Sequence, residues 1–398
     1  MDSRADLPAS MPRVESPARP ALLLLAVSAG VSVANLYYAQ PLAAMMAGSL
    51  AVSASGIGLA LMLCQAGYAL GMLLLVPLGD GRERRGLMLM TALAASVTLL
   101  LVAVAPSFPA LAASSLLLGF ASCLPQMALP FAVGLVPIAE RGRAIGLVMG
   151  GLLTGILLSR TASGALAAVV GWRATFACAA GLMVALALGL RLGLPRQEPE
   201  QPLAWAAIVR SLGGVVRGQP VLRRQSLVGA CGFASFSVFW STLSFHLERL
   251  GHGSSTAGMF GVVGLSGIVV APIVGRLAGR VRPTRINVVG LVAVMLGFAV
   301  FAGAGASLLG IALGVVLLDA GVQASHLANQ TIIFGLDPAL RNRINAVYMV
   351  SYFIGGATGT IAAASAWERW GWTGVSLLGA LFGGAGLLPL VSRERPAA

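Results

Sequence analysis

Long apolar stretches separated by short polar turns occupy almost the whole chain. A helix that crosses a membrane needs about 20 apolar residues, and the sequence contains twelve stretches of about that length. We place them at 20–43, 56–79, 86–106, 108–136, 143–170, 172–194, 224–247, 256–279, 285–304, 307–336, 344–366 and 372–392. The pattern predicts an all-α membrane protein with twelve transmembrane helices.

The two halves of the chain repeat one another with a constant offset of 200 residues. Arg141-Gly-Arg143 returns as Arg341-Asn-Arg343, and Gly171-Trp172 returns as Gly371-Trp372. We therefore predict two pseudo-symmetric six-helix halves. The predicted segments are a disordered cytoplasmic tail at 1–19, the first half at 20–194, a cytoplasmic linker at 195–223, the second half at 224–392 and a tail at 393–398.

Composition supports this class and argues against others. Hydrophobic residues make up 58% of the chain and charged residues only 10%, whereas a soluble domain carries about 25% charged residues. The net charge of +13 does not indicate nucleic-acid binding, because the arginines lie in short loops and not on one basic face. The four cysteines lie inside apolar stretches without CxxC spacing, so we expect neither a disulfide nor a metal site.

The distribution of arginine predicts the orientation in the membrane. If odd-numbered spans run from inside to outside, the outer loops hold only Arg173, Arg249 and Arg369, and Arg160 falls inside a span. All other arginines lie at the inner side. Because short basic loops stay in the cytoplasm, both termini are predicted to be cytoplasmic.

The turn at 77–86 carries five charges, and its sequence resembles a loop of a known family. Its Leu78-Gly-Asp-Gly-Arg-Glu-Arg-Arg85 resembles the loop between spans two and three of the major facilitator superfamily, and Gly275 to Arg280 is a weaker copy in the second half. The runs 34–41 and 319–326 are similar to a bacterial subgroup of efflux permeases. This resemblance implies a monomeric transporter of the bacterial inner membrane, with a small-molecule cargo and the lipid bilayer as its partners. It implies no cofactor, a proton gradient as the energy source, and no enzyme activity.

The same resemblance makes the charged loop an inner gate. Its predicted members are Asp80, Arg82, Arg84, Arg85, Gly275 and Arg280. In the family, the aspartate bonds to arginines and to a span end of the other half. The alternative is a turn of solvated charges that follows the positive-inside bias. Two further family positions differ here, because Ser115 stands where efflux members carry an arginine and Ser159-Arg160 replaces a Gly-Pro pair.

Span ten carries a polar stripe. Asp319, Gln323, His326 and Gln330 fall within an arc of about 60° on a helix, and Asn329 lies off it. An ionised Asp facing lipid would cost at least about 2.5 kcal/mol, so the stripe must face protein or a water-filled cavity. We predict that Asp319 is a proton- or cation-coupling site, with His326 as a relay or cargo contact. The alternative is a structural polar network between helices.

Arg160 is the second charge predicted to be buried. It lies about 15 Å from the outer end of span five, and Asp319 lies about 18 Å from the outer end of span ten. Similar depths allow a charge pair across the halves, or Arg160 could receive an anionic cargo directly. Further cargo contacts are predicted on spans one, four, seven and ten, at Asn35, Tyr38, Gln126, Trp240, Gln323 and Gln330.

These features together predict a secondary transporter that exports a small organic molecule against proton entry. A facilitator or importer of a small polar metabolite is the alternative. A membrane enzyme or a receptor on the same fold is a more remote one, because an enzyme would need a clustered acid, base or metal set and no third partner joins Asp319 and His326. No Gly-rich loop ends in Gly-Lys-Ser/Thr, so direct ATP drive is excluded.

Overall fold

The computed structural model describes residues 18–80, 82–198, 205–264, 267, 270, 273–274, 276, 280–337 and 340–391. The chain is helical throughout these ranges, apart from short turns. The helices are α1 (Ala18–Ala34), α2 (Ala43–Leu50), α3 (Ala54–Leu74), α4 (Arg84–Ala103), α5 (Phe108–Ala121), α6 (Leu124–Gly134), α7 (Arg141–Gly193), α8 (Trp205–Gly218), α9 (Pro220–Arg249), α10 (Ser254–Val263), α11 (Pro283–Ala304), α12 (Leu308–Phe334) and α13 (Arg341–Val391). Short 3₁₀ helices cover Val76–Asp80 and Ile138–Glu140.

Eight helical segments among the described residues are long and apolar enough to cross a membrane. Two of them, α7 and α13, each contain two spans, because the backbone kinks at Gly171 and Gly371. Both glycines have positive φ, 79° and 58°, a conformation that a residue with a Cβ adopts only with strain. The repeated Gly-Trp pairs in the sequence therefore mark the turns between spans five and six and between spans eleven and twelve.

In the part of the chain that the structure describes, the predicted spans one and four are interrupted helices. The predicted span 20–43 breaks after Ala34, passes through turns and resumes as α2, and the predicted span 108–136 breaks at Ser122 and Cys123. Pro41 and Pro125 lie in or just after these breaks, where a missing N–H does least harm. The two breaks meet, since the Ser32 hydroxyl donates to the Ser122 carbonyl at 3.2 Å. This contact gives a freed backbone group a partner inside the bundle.

The helices alternate in direction and define two ends of the bundle. We call the end where α1 and α9 begin the linker face, and the end that carries the kinks at Gly171 and Gly371 the opposite face. Helix α8 forms within the predicted linker 195–223. The buried side chain of Val215 on α8 packs with Leu222 at the start of α9 and with Ile344 and Tyr348 of α13.

The two halves touch closely near the opposite face, and the contacts obey the 200-residue repeat. Gly58 of α3 lies against Ala364 of α13, and Gly164 of α7 lies against Gly258 of α10. Each of these contacts is the repeat equivalent of the other. The approach is so close that a Cβ added at Gly58 would overlap the Ala364 Cβ. Small residues at these four positions thus let the helices of the two halves meet directly.

Hydrogen bonds between the halves lie on the same side of the bundle. The Ser55 N–H donates to Glu368 Oε1 at 2.7 Å, and the Thr161 hydroxyl donates to the Gly258 carbonyl at 2.9 Å. Nearer the middle, Gln65 Nε2 donates to Thr360 Oγ1 at 2.9 Å. The opposite face is therefore sealed in this structure by both packing and hydrogen bonds.

Candidate functional site

A cavity of about 280 Å³ lies between the two halves. It begins at Arg160 and Asp319, halfway along their spans, and continues to Gln330 and Phe334 near the linker-face end of α12. The walls are mainly apolar and aromatic. Its polar side chains come from both halves and include Gln126, Arg160, Asp319, Gln323, His326, Gln330 and Asn345. A mainly apolar cavity with a few convergent polar groups is the usual form of a small-molecule site.

Arg160 is the buried cation of this cavity. Its side chain is 1% exposed, and its Nε donates to Gln40 Oε1 at 2.7 Å. The guanidinium carbon lies 4.0 Å from the ring centre of Trp240 and 4.8 Å from that of Tyr37. Cation–π contacts of this kind stabilise a desolvated guanidinium. Its Nη2 has no hydrogen-bond partner among the described residues.

Trp240 connects the two buried charges. One face of its indole supports the Arg160 guanidinium, while its Nε1–H donates to Asp319 Oδ1 at 3.2 Å. The hydrogen bonds of Arg160 and Asp319 therefore go to Gln40 and Trp240, and the two opposite charges act on each other over a longer distance. Gly264 leaves room for the carboxylate, because a Cβ added there would lie 2.6 Å from Asp319 Oδ2.

The predicted stripe on span ten faces one environment, since Asp319, Gln323, His326 and Gln330 all line the cavity. Asn329, which was predicted to lie off the stripe, accepts a hydrogen bond from Asn287 at 3.0 Å within the second half. His326 Nδ1 lies 3.0 Å from the Tyr348 hydroxyl, a contact that holds its ring at the cavity wall.

Three predicted cargo contacts lie outside the cavity wall. Asn35 is 2% exposed and its Nδ2 donates to Ser122 Oγ at 3.3 Å, at the meeting point of the two helix breaks. Tyr38 is also buried, and Trp240 is enclosed between Arg160 and Asp319. Asn35 and Tyr38 do not reach the cavity because α1 ends at Ala34, and the turns that follow remove residues 35–42 from the predicted helical register. Trp240 acts on the cavity through the two charges that it contacts.

The charged loop lies at the linker face, apart from the cavity. Arg84 Nε donates to the Gly79 carbonyl at 3.2 Å, and Arg85 Nη1 donates to the Leu194 carbonyl at 3.0 Å. Arg82 and Arg280 are exposed. The predicted gate residues Gly275 and, for its side chain, Asp80 lie outside the described residues. The contacts of Arg85 thus tie the loop to the end of α7 in the same half.

The cavity is also lined by four residues that were not predicted from the sequence, Tyr37, Tyr68, Tyr352 and Asn345. A signal for part of the site was present in the repeat. Gln40 and Trp240 are equivalent at an offset of 200, and both contact Arg160. Gln126 and His326 are equivalent in the same way, and both line the cavity. The aromatic residues of the wall could not be selected in this way, because tyrosine is also common in ordinary helix packing.

Comparison with known proteins decides the family. The family model for the Major Facilitator Superfamily matches residues 22–360. The chain belongs to the major facilitator superfamily. Its twelve-helix fold and its place among membrane transporters follow from this membership, as the resemblance of the charged loop had predicted.

Two relatives of this major facilitator superfamily protein are bacterial. A protein of Escherichia coli O157:H7 named "Uncharacterized transporter YgaY" is 38% identical over 364 residues, which cover 91% of this chain and 92% of that protein. A protein of Streptomyces coelicolor named "Probable transporter SCO4007" is 34% identical over 363 residues, covering 90% and 84%. A solved structure of a bacterial homologue of the human lysosomal transporter Spinster, described as inward-facing and unoccupied, aligns with a TM-score of 0.73 over 95% of each chain. At 15% identity, that likeness shows the fold alone.

Proposed function

We propose that this transporter works by alternating access and exports a small organic molecule in exchange for protons. The observation that carries the proposal is the pair of buried opposite charges, Arg160 and Asp319, at the closed end of a cavity between the halves. An acid inside the membrane is costly and marks an ion or proton pathway by default. Asp319 is the group that would take and release the proton.

The shape of the molecule supports alternating access. The cavity continues to the linker face, while the opposite face is sealed by the contacts of Gly58 with Ala364 and of Gly164 with Gly258. This arrangement is one of the two states that the cycle needs. If the linker face is cytoplasmic, as the arginine distribution predicts, the state is inward-facing and the charged loop with Asp80 would close it in the other state.

The remaining details of the proposal come from the sequence. The direction of transport rests on the resemblance of residues 34–41 and 319–326 to bacterial efflux permeases. The same resemblance supports a monomer in the bacterial inner membrane that uses the proton gradient and no cofactor. Among the described residues, no group of three or more His, Cys, Asp or Glu side chains is arranged to hold a metal ion.

Reconstituted protein tests proton coupling. In liposomes that enclose a pH-sensitive dye, we expect a transported molecule from a small-molecule panel to move protons in the opposite direction, and Asp319→Asn to remove that linkage. Glu140→Gln, which changes an exposed acid at the linker face, is the matched control and should behave as the wild type. Flux that stays the same when the pH gradient is collapsed would instead favour the facilitator.

One observation favours a second candidate, the importer of a small polar metabolite. Arg160 has a buried donor, Nη2, without a hydrogen-bond partner among the described residues. An anion that takes this donor leaves Asp319 without its favourable neighbour and thus promotes its protonation. Proton and anion would then travel together, and an inward proton gradient would drive uptake. The direction of proton movement in the liposome experiment separates this candidate from efflux.

A further inference from the structure

We propose that the cargo is an organic anion with a small planar apolar body, whose anionic group binds Arg160. The inference rests on the proposed function only in taking the cavity as the cargo site. It adds the charge and the shape of the molecule that the cavity accepts.

The first step is the donor capacity of Arg160. A guanidinium has five N–H donors and no acceptor. In this structure Nε donates to Gln40, whereas Nη2 is buried without a hydrogen-bond partner among the described residues. Buried donors are nearly always paired, so an unpaired one in a cavity wall indicates a ligand that completes it.

The second step is the geometry of the guanidinium. The rings of Trp240, Tyr37 and Phe236 lie around it at 4.0, 4.8 and 5.2 Å, and the bond to Gln40 holds its edge. The side chain is thereby held in place before any ligand arrives. A planar, fixed fork of donors matches the oxygens of a carboxylate, sulfonate or phosphate.

The third step is the sign of the charge. Asp319 is the nearby acid, but its Oδ1 already accepts the Trp240 N–H, and Gly264 packs beside its Oδ2. In the part of the cavity wall that the structure describes, the buried charged atom without a hydrogen-bond partner is Arg160 Nη2 and not an oxygen of Asp319. A cationic cargo bound to Asp319 would be repelled by Arg160, because like charges in a buried site repel each other. An anionic cargo on Arg160 avoids the matching repulsion when Asp319 holds the proton that the proposed function assigns to it.

The fourth step concerns the body of the cargo. Below Arg160 the wall is formed by the rings of Tyr68, Phe233, Tyr352 and Phe353, with the Phe233 and Tyr352 rings stacked at 4.1 Å. Aromatic walls favour planar, apolar groups that stack against them. A cavity of about 280 Å³ holds a molecule of one or two rings.

The experiment measures binding of three matched probes to the purified full-length protein in nanodiscs, by the fluorescence change of its tryptophans. The probes are 4-toluenesulfonate, 4-toluenesulfonamide and phenyltrimethylammonium, which share one ring and differ in charge. The sulfonate stays ionised at every working pH. We expect it to bind at least ten-fold more tightly than the sulfonamide and the ammonium compound.

Two variants distinguish recognition from a structural role. Arg160→Gln should weaken sulfonate binding at least ten-fold, while Asp319→Asn should tighten it, because removal of the acid leaves Arg160 uncompensated. A purely structural role would weaken binding in both variants. Arg173→Gln is the matched control, because Arg173 also stacks on a tryptophan, Trp172 at 4.2 Å, but lies outside the cavity.

Preference for the ammonium compound or the sulfonamide would overturn the inference, as would equal sulfonate binding by wild type and Arg160→Gln. If Arg160→Gln does not fold, the charge preference among the three probes on the wild type still decides. Failure of this inference is distinct from failure of the proposed function. Flux that is specific for cations and still moves protons would refute only the claim that the cargo is an anion. Sulfonate binding without any gradient-dependent flux would refute only the claim of proton coupling.

Discussion

At the scale of single residues, the site depends on two contacts of one tryptophan, one through its ring face and one through its N–H group. The Trp240 ring supports Arg160 while its N–H holds Asp319. A buried cation and a buried acid are each expensive alone, and mutual attraction offsets part of the cost of desolvation. The tryptophan contacts both charges, and Arg160 Nη2 keeps no hydrogen-bond partner in the described part of the chain.

This arrangement predicts a specific pattern of stabilities. Arg160→Ala and Asp319→Ala should each lower the midpoint of thermal unfolding in detergent, because each leaves one uncompensated charge. Loss of one partner of a buried pair typically costs about 3–5 kcal/mol. The double variant should melt closer to the wild type than either single variant does. A double variant whose loss equals the sum of the single losses would show that the two charges do not interact.

At the scale of helices, glycine and alanine decide where the halves meet. Gly58 contacts Ala364, and the equivalent pair 200 residues away, Gly164 and Gly258, forms the second contact. Next to the second contact, the Thr161 hydroxyl donates a hydrogen bond to the Gly258 carbonyl. The two symmetric contacts form a seal across the opposite face, which must separate if the cavity is to open there.

A side chain added to this seal should hold it open. Gly58→Val places a Cβ where the Ala364 Cβ lies. The probe is Ala44→Cys in a cysteine-free background, a position beside Ser244 near the opposite face. We expect this cysteine to react several-fold faster with a membrane-impermeant maleimide when Gly58→Val is present than when it is absent.

Two variants serve as controls for this prediction. Gly181→Val should leave the rate unchanged, since a Cβ there meets nothing within 4 Å. Adding Ala364→Gly to Gly58→Val should bring the rate back toward that of the parent. Equal labelling of all variants would mean that the glycine contact does not control access.

At the scale of the whole molecule, the arginine distribution predicts which end faces the cytoplasm. The linker face carries the exposed Arg82, Arg196 and Arg280, together with the linker helix α8. The opposite face carries the turns at Ser53 and Gly251. With the linker face inside, the cavity is inward-facing.

Cysteine labelling of intact cells tests this orientation. A single cysteine at Ser53 should react with an impermeant maleimide, whereas one at Arg196 should react only after the cells are opened. Both positions are at least partly exposed in the structure, so burial does not explain a difference. The reverse pattern would place the cavity mouth outside the cell, and the structure would then be the outward-facing state.

The sequence was sufficient to predict the class, the number of spans, the two-half repeat and the family. Each of these depends on properties that are local along the chain, namely apolar length, turn charge and a constant offset between similar residues. It also determined that Asp319, Gln323, His326 and Gln330 share a helix face, because helical geometry fixes which residues align. The breaks after Ala34 and at Ser122 were missed, because apolar length alone does not show where a buried backbone can leave the helix.

Only the tertiary structure decided what the buried charges contact. Arg160 and Asp319 are 159 positions apart in sequence, and their partners are Gln40, in the turns between α1 and α2, and Trp240 on α9. No pattern along one helix reports a contact among four segments of the chain, because it depends on how the halves pack. The seal between Gly58 and Ala364 has the same origin. Spacing placed two charges at similar depth, and packing set the tryptophan between them.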